Sequence, residues 1–173
     1  QPKTKFYALR SSKKSKDYED IVNLNSWEEV AEYNFDFSIV SSPSSLHLKH
    51  IEKLSKYNLP VFIEKPLCVS RSELKKINVD KFHILTYVAL NMRFHPLIIY
   101  LKNFLNNSDF KIYEINAYHG SYMPSWRPGN HKKTYSSNNE LGGGVHLDLI
   151  HEPDLLYFLF VVHVGVLLLL LLL

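Results

Sequence analysis

The chain has 173 residues, 46% hydrophobic and 21% charged, a globular composition that excludes a chain disordered along most of its length and suffices for one ordinary core. Twenty basic against seventeen acidic side chains leave a formal net charge of +3, too small a bias to imply nucleic acid or an anionic membrane as partner. Cys68 is the single cysteine, which excludes an internal disulfide and fits a cytoplasmic location, and the polar opening Gln1 to Lys5 does not read as a secretory signal.

Phe6 to Leu9 reads as a short buried strand followed by the polar turn Arg10-Ser11-Ser12-Lys13, with Lys13, Lys14 and Lys16 forming a solvated face. If that strand belongs to a dinucleotide-binding sheet, the residue after it selects the cofactor: an acid grips the ribose hydroxyls, an arginine suits the extra phosphate of NADP. Arg10 and Ser11 without an acid slightly favour NADP over NAD. Ser26 with Glu29 three residues later is a capping-box pattern that predicts a short helix through Tyr33. Phe37 to Val40 is a further strand, closed by the serine-rich turn Ser41-Ser42-Pro43-Ser44-Ser45. The spacing of Leu48, Ile51 and Leu54 predicts a helix over His47 to Tyr57, which leads through Asn58 into a second apolar strand.

That strand, Val61-Phe62-Ile63, runs into Glu64-Lys65-Pro66. Pro66 biases Lys65 towards an extended conformation, so the lysine is held at the strand's carboxyl end. A strand, helix and strand of this length cross over right-handedly and lie parallel, which puts the serine-rich turn and Lys65 on one edge of the sheet. Ligands of open α/β sheets bind at that edge.

A helix over Ser70 to Ile77 and a strand over Phe82 to Val88 follow, then Asn91-Met92-Arg93-Phe94-His95-Pro96 and a helix over Leu97 to Leu105. Lys111 to Tyr118 alternates polar and apolar residues with period two, the pattern of a sheet with one wet face, and predicts the start of a partly antiparallel layer. Tyr122 to Pro128 is an aromatic, proline-rich loop that can wall a pocket, with Arg127 able to clamp an anion and Tyr135 a little beyond. Leu141-Gly142-Gly143-Gly144 then opens a helix holding His146, Asp148, His151, Glu152 and Asp154. Asp148 and His151 are three apart on one helical face, an acid beside an imidazole that can move a proton. The His-Glu-X-X-His spacing of a zinc helix is absent, so no metal is expected.

Four segments together, Ser42-Pro43 with His47, Glu64-Lys65-Pro66, Asn91 to Pro96, and Gly142-Gly143-Gly144 running into Asp148, His151 and Asp154, resemble the Gfo/Idh/MocA oxidoreductase family, over roughly Phe6 to Phe160. Tyr122 to Pro128 and Leu147 to Glu152 look most like its polysaccharide and sugar-nucleotide branch. The resemblance implies an α/β chain: an incomplete N-terminal Rossmann domain with a parallel sheet over residues 1–88, then the start of an α+β domain with a mostly antiparallel open sheet over residues 89–160. It implies NADP or NAD as hydride carrier, a sugar, polyol or sugar derivative as the other reactant, and a homo-oligomeric parent enzyme. By the same resemblance Lys65, Asp148 and His151 are catalytic. The cofactor lies against Arg10, Ser11, Ser42, Pro43, His47, Glu64, Lys65, Asn91 and Arg93, and the substrate against Lys65, Trp126, Arg127, Tyr135, Asp148 and His151. Family members generally space the acid and histidine by four residues; here the spacing is three.

Two features depart from the family. No Gly-X-Gly-X-X-Gly turn precedes the first strand, so the chain reads as a fragment of a longer enzyme that binds dinucleotide poorly alone. Leu155 to Leu173 carries no formal charge and ends in seven leucines, long enough for a membrane span but without basic flanks, and residues 161–173 read as an aberrant apolar tail. The competing readings are a non-catalytic Rossmann-like scaffold and a protein tethered to a membrane by that tail.

Overall fold

A computed structural model describes residues 4–10, 18–76, 83–109, 111–120, 122, 124 and 129–160. The chain divides into two compact units, Gln1–Phe37 and Ser38–Leu173.

In the first unit, β1 (Phe6–Leu9) pairs in parallel with β2 (Ile21–Leu24), Phe6 opposite Ile21 and Leu9 opposite Leu24. The sequence reading passes over β2 because Asn23 interrupts its apolar run. It also expects β1 to be buried, whereas Phe6 is 56% exposed; two short strands have too little surface to cover both faces of their own sheet. Tyr7 packs against Tyr33 and Phe35, with ring centroids 4.8 and 5.2 Å away. In α1 (Trp27–Val30) the Ser26 hydroxyl accepts from the Glu29 amide at 3.3 Å, while the Glu29 carboxylate accepts from Asn25 N at 3.1 Å. The helix ends at Val30 rather than Tyr33: the amides of Glu32 and Tyr33 reach back only three residues, to Glu29 and Val30, and tighten the last turn.

In the second unit, β3 (Ser38–Val40), β4 (Val61–Ile63) and β5 (Thr86–Val88) form a parallel sheet in that order, with Ser38, Val61 and Thr86 in register at one end and Val40, Ile63 and Val88 at the other. α2 (His47–Ser55) is the crossover between β3 and β4. It buries Leu48, Ile51 and Leu54 in a core shared with Val40, Val61 and Ile63. Asn58, at φ 53, reverses the chain from α2 towards β4, a left-handed conformation that asparagine tolerates. The other sheet face is more open than continuous apolar strands imply: Phe62 stacks on Tyr87 at 5.6 Å, yet Ile39 is 61% exposed.

α3 (Arg71–Lys76) carries a cap of its own, Ser70 Oγ accepting from Glu73 N at 3.1 Å. α4 (Pro96–Asn106) places proline at its first position, where no amide hydrogen is needed, and His95 Nδ1 accepts from Leu97 N at 3.2 Å. Lys111 to Tyr118, predicted as a strand of a partly antiparallel layer, carries no regular structure, and no antiparallel sheet occurs among the described residues. Ile112 and Ile115 are half-buried while Tyr113 and Tyr118 are fully exposed. An alternating segment becomes a strand only where a neighbour accepts its ladder, and no described strand lies alongside this one.

α5 (Val145–Asp148) and α6 (His151–Phe160) replace the single helix expected across the glycine-led motif. Pro153 is the cause. It has no amide to return to the Leu149 carbonyl, and its ring would strike that carbonyl in a continuous helix, so the helix breaks one turn upstream and Pro153 sits in the first turn of α6. No helix of the described residues is long and apolar enough to cross a membrane; the terminal leucines lie outside them.

Candidate active site

Because β3, β4 and β5 are parallel and in register, their carboxyl ends deliver three turns to one edge: Ser41 to Ser45, Glu64 to Pro66, and Ala89 to Asn91. The ladder continues into these turns, Glu64 N donating to Val40 O and Ala89 N to Ile63 O, each at 2.8 Å. The turns are therefore rigid extensions of the sheet.

Buried side chains tie them together. His47, 1% exposed, places Nδ1 2.8 Å from Pro66 O and Nε2 2.8 Å from Ser42 O, so neither ring nitrogen is left for a ligand. Pro43 precedes a short 3-10 turn, Ser44–Leu46, and Ser44 is buried within it. The Tyr135 hydroxyl meets Ser44 Oγ and donates to Gly142 O at 3.0 Å, so Tyr135 braces the glycine run against the serine turn. The glycines are needed for this docking: Gly142 has φ +84 and a Cβ there would collide with Val69, while one on Gly143 would collide with the Tyr135 carbonyl.

On that base the functional groups meet. Lys65 Nζ donates to the backbone carbonyl of Asp148 at 2.6 Å, one of the carbonyls that the end of α5 leaves without an intrahelical amide. Two residues past that break stands His151. Asp148 and His151 thus stand on either side of a helix break, not on one helical face. Asp148 Oδ2, His151 Nδ1 and Glu152 Oε2 are buried and have no hydrogen-bond partner, a costly arrangement unless a ligand completes it. Burial, and then the Lys65 ammonium, hold the His151 pKa below the ordinary imidazole range, against the opposing pull of Glu152, Asp154 and Glu64. At neutral pH His151 is therefore a neutral imidazole, able to take a proton.

Arg93, which the resemblance assigns to the cofactor, ties two elements together in the structure. It forks onto the Asp154 carboxylate, Nε to Oδ2 at 2.9 Å and its terminal nitrogen to Oδ1, and lies over the Phe158 ring with Lys102. That hydrogen bond to Asp154 raises the Arg93 pKa, and the fork locks the Asn91–Phe94 turn to α6. Asn91 and Glu64 are exposed, with Glu64 Oε2 accepting from the Lys65 amide at 3.2 Å. Arg10 lies in the first unit, its Nε on Asn23 Oδ1 at 2.6 Å. Ser11, Trp126 and Arg127 fall outside the described residues.

The sequence reading gives no role to Glu152, whose second carboxylate oxygen faces His119 Nδ1 at 3.2 Å. It also misses the Ser44–Tyr135 bond. Pro153 is the overlooked signal for the helix break; nothing local announces a contact across ninety-one positions. Among the described residues no group of His, Cys, Asp or Glu is placed to hold a metal ion.

Residues 4–79 match the family model described as Gfo/Idh/MocA, oxidoreductase family, NAD-binding Rossmann fold. No curated protein matches the chain. Among solved structures, the WlbA (WbpB) dehydrogenase from Thermus thermophilus in complex with NAD and UDP-GlcNAcA aligns at 20% identity over 90% of this chain and 54% of that one, with a TM-score of 0.64. The same enzyme in complex with NAD and alpha-ketoglutarate aligns at 20% identity over the same shares, with a TM-score of 0.61. The chain thus spans about half the length of that dehydrogenase, and the likeness is one of fold.

Proposed function

We propose, on the match of residues 4–79 to the family model described as Gfo/Idh/MocA, oxidoreductase family, NAD-binding Rossmann fold, that the protein is an NAD(P)-dependent oxidoreductase acting on a CH–OH group of a sugar, polyol or sugar derivative. The observation that carries this reading is the Lys65 ammonium bonded to the Asp148 carbonyl and acting by charge on His151, with buried polar atoms of Asp148, His151 and Glu152 left without partners. A scaffold would gain nothing from leaving those atoms unpaired. The nicotinamide, when bound, supplies the hydride acceptor or donor. Its place is the edge formed by the turns after β3, β4 and β5, where Ser42, Glu64 and Asn91 lie and parallel sheets bind dinucleotides.

Oxidation of an alcohol requires the hydroxyl proton to leave as hydride departs from the same carbon. His151, neutral and partly buried, takes that proton. Lys65 stabilises the negative charge that develops on the oxygen, a role for which its ammonium form is the active one. Asp148 is assigned as the acid of the pair by the resemblance alone, while the charges that favour the imidazolium His151 becomes are those of Glu152, Asp154 and Glu64. Arg10, followed in sequence by two serines rather than an acid at the end of β1, favours the 2′-phosphate of NADP, so Arg10→Ala should weaken NADP binding more than NAD binding in a calorimetric titration of each; an equal effect on both would contradict that preference.

The test is a nicotinamide absorbance assay on an intact homologue that keeps the counterparts of Lys65, Asp148 and His151, with NAD or NADP and a panel of UDP-GlcNAcA, the ligand crystallised with the Thermus enzyme, a free hexose and a cyclic polyol. Turnover of one of these is expected, with Lys65→Met and His151→Asn each lowering kcat about 10²–10⁴-fold, the usual worth of a positioned proton carrier or charge, and leaving dinucleotide affinity in place. Unchanged turnover in both variants would refute the assignment.

A further inference from the structure

His47 makes a pair of bonds that an ordinary neutral histidine cannot make. Nδ1 lies 2.8 Å from Pro66 O and Nε2 2.8 Å from Ser42 O. Both partners are backbone carbonyl oxygens, which only accept. A neutral imidazole has one N–H and one bare nitrogen, so in that form one of the two contacts would set a nitrogen lone pair against an oxygen lone pair. The ring is 1% exposed, too enclosed for solvent to relieve such a clash, and a buried unmet acceptor is costly.

We propose that His47 carries a proton on both ring nitrogens and acts as a positioning residue, a charged double donor that sets the distance between the turn after β3 and the turn after β4. Both bonds are then charge-assisted, stronger than neutral ones. One end grips the carbonyl of Ser42, two residues beyond β3; the other grips the carbonyl of Pro66, the residue that follows Lys65. Ser42 is held from two sides, since its hydroxyl lies 3.0 Å from Nδ1 of His50 one turn along α2. His50 shares that helix with the ionisable Lys49, Glu52 and Lys53. Its own pKa is lowered, first by burial and then by charge interactions with His47, Lys53 and Lys49.

The clamp reaches the reacting groups through Lys65. Fixing Pro66 O fixes the Lys65 main chain, and so the reach of its ammonium to Asp148 O. That this serves hydride transfer rests on the function proposed above; the double donation does not.

Nitrogen-15 NMR on the unaltered protein tests the ring directly, with His47 assigned by Overhauser contacts to Ser42 and Pro66. The expected result is two protonated ring nitrogens at neutral pH, both with imidazolium shifts. One bare ring nitrogen would overturn the proposal. The positioning role is read from the rate at which trinitrobenzenesulfonate modifies Lys65 in the protein and in His47→Gln, with the exposed Lys49 and Lys56 as internal references. Lys65 should react several-fold faster in the variant while the references are unchanged. Equal Lys65 rates would overturn the positioning role, whatever the turnover of the Lys65→Met enzyme proves to be.

Discussion

At the scale of single residues, the account turns on why His151 is neutral. Burial disfavours its cation, and the Lys65 ammonium adds to that, so the folded pKa lies below that of a free imidazole. In the window between those values the unfolded chain binds more protons than the folded one, so stability rises with pH there and is lost as pH falls through the folded pKa. His50 is lowered too, by burial first, and acts with the same sign. The contribution of His50 is read by difference: urea midpoints measured across that window should gain less with rising pH in His50→Gln than in the unaltered protein, and the same pH dependence in both would contradict this. Lys65 and His151 were legible in the sequence because a strand ending in Glu-Lys-Pro and a glycine-led motif mark them. What the sequence could not show is that Lys65 would take the main-chain carbonyl of Asp148 while the Asp148 carboxylate keeps an unpaired oxygen. Main-chain acceptors have no residue code, so only the fold reveals which one is offered.

At the scale of elements, the glycine run and Tyr135 form the brace behind the site. Tyr135→Phe removes the hydroxyl that joins Ser44 to Gly142 and should cost about 1 kcal/mol, with more if Ser44 is left unpaired in its buried place. Gly143→Ala places a methyl against the Tyr135 and Ser136 carbonyls and should cost about 1–3 kcal/mol through the backbone shift it forces. Both are checked by denaturant midpoints, and a neutral Gly143→Ala would mean the loop does not dock there. Ser26→Ala removes the cap of α1 and should cost about 1 kcal/mol. The caps and the amphipathic face of α2 follow from local rules, and the sequence shows them. β2 does not, because Asn23 breaks its pattern and its partner β1 supplies the reason to be a strand. The opposite error arises at residues 111–118, where the alternation is plain but no described strand offers a ladder.

At the scale of the molecule, the parallel order of β3, β4 and β5 carries the turns of distant segments to one edge, and this much was legible from apolar runs separated by a helical spacing. Ile63, 1% exposed at the heart of that sheet, holds the edge in place, so Ile63→Ala should destabilise by about 2–5 kcal/mol. The break between α5 and α6 then turns His151 back towards Lys65, and this convergence is the claim on which the proposed chemistry stands. An NMR titration of the His151 ring, in the unaltered protein and in Lys65→Met, tests it most directly. The account predicts that His151 titrates higher once the ammonium is gone, because one of the two influences holding it low has been removed; an identical titration in both proteins would mean that lysine and histidine do not share a site.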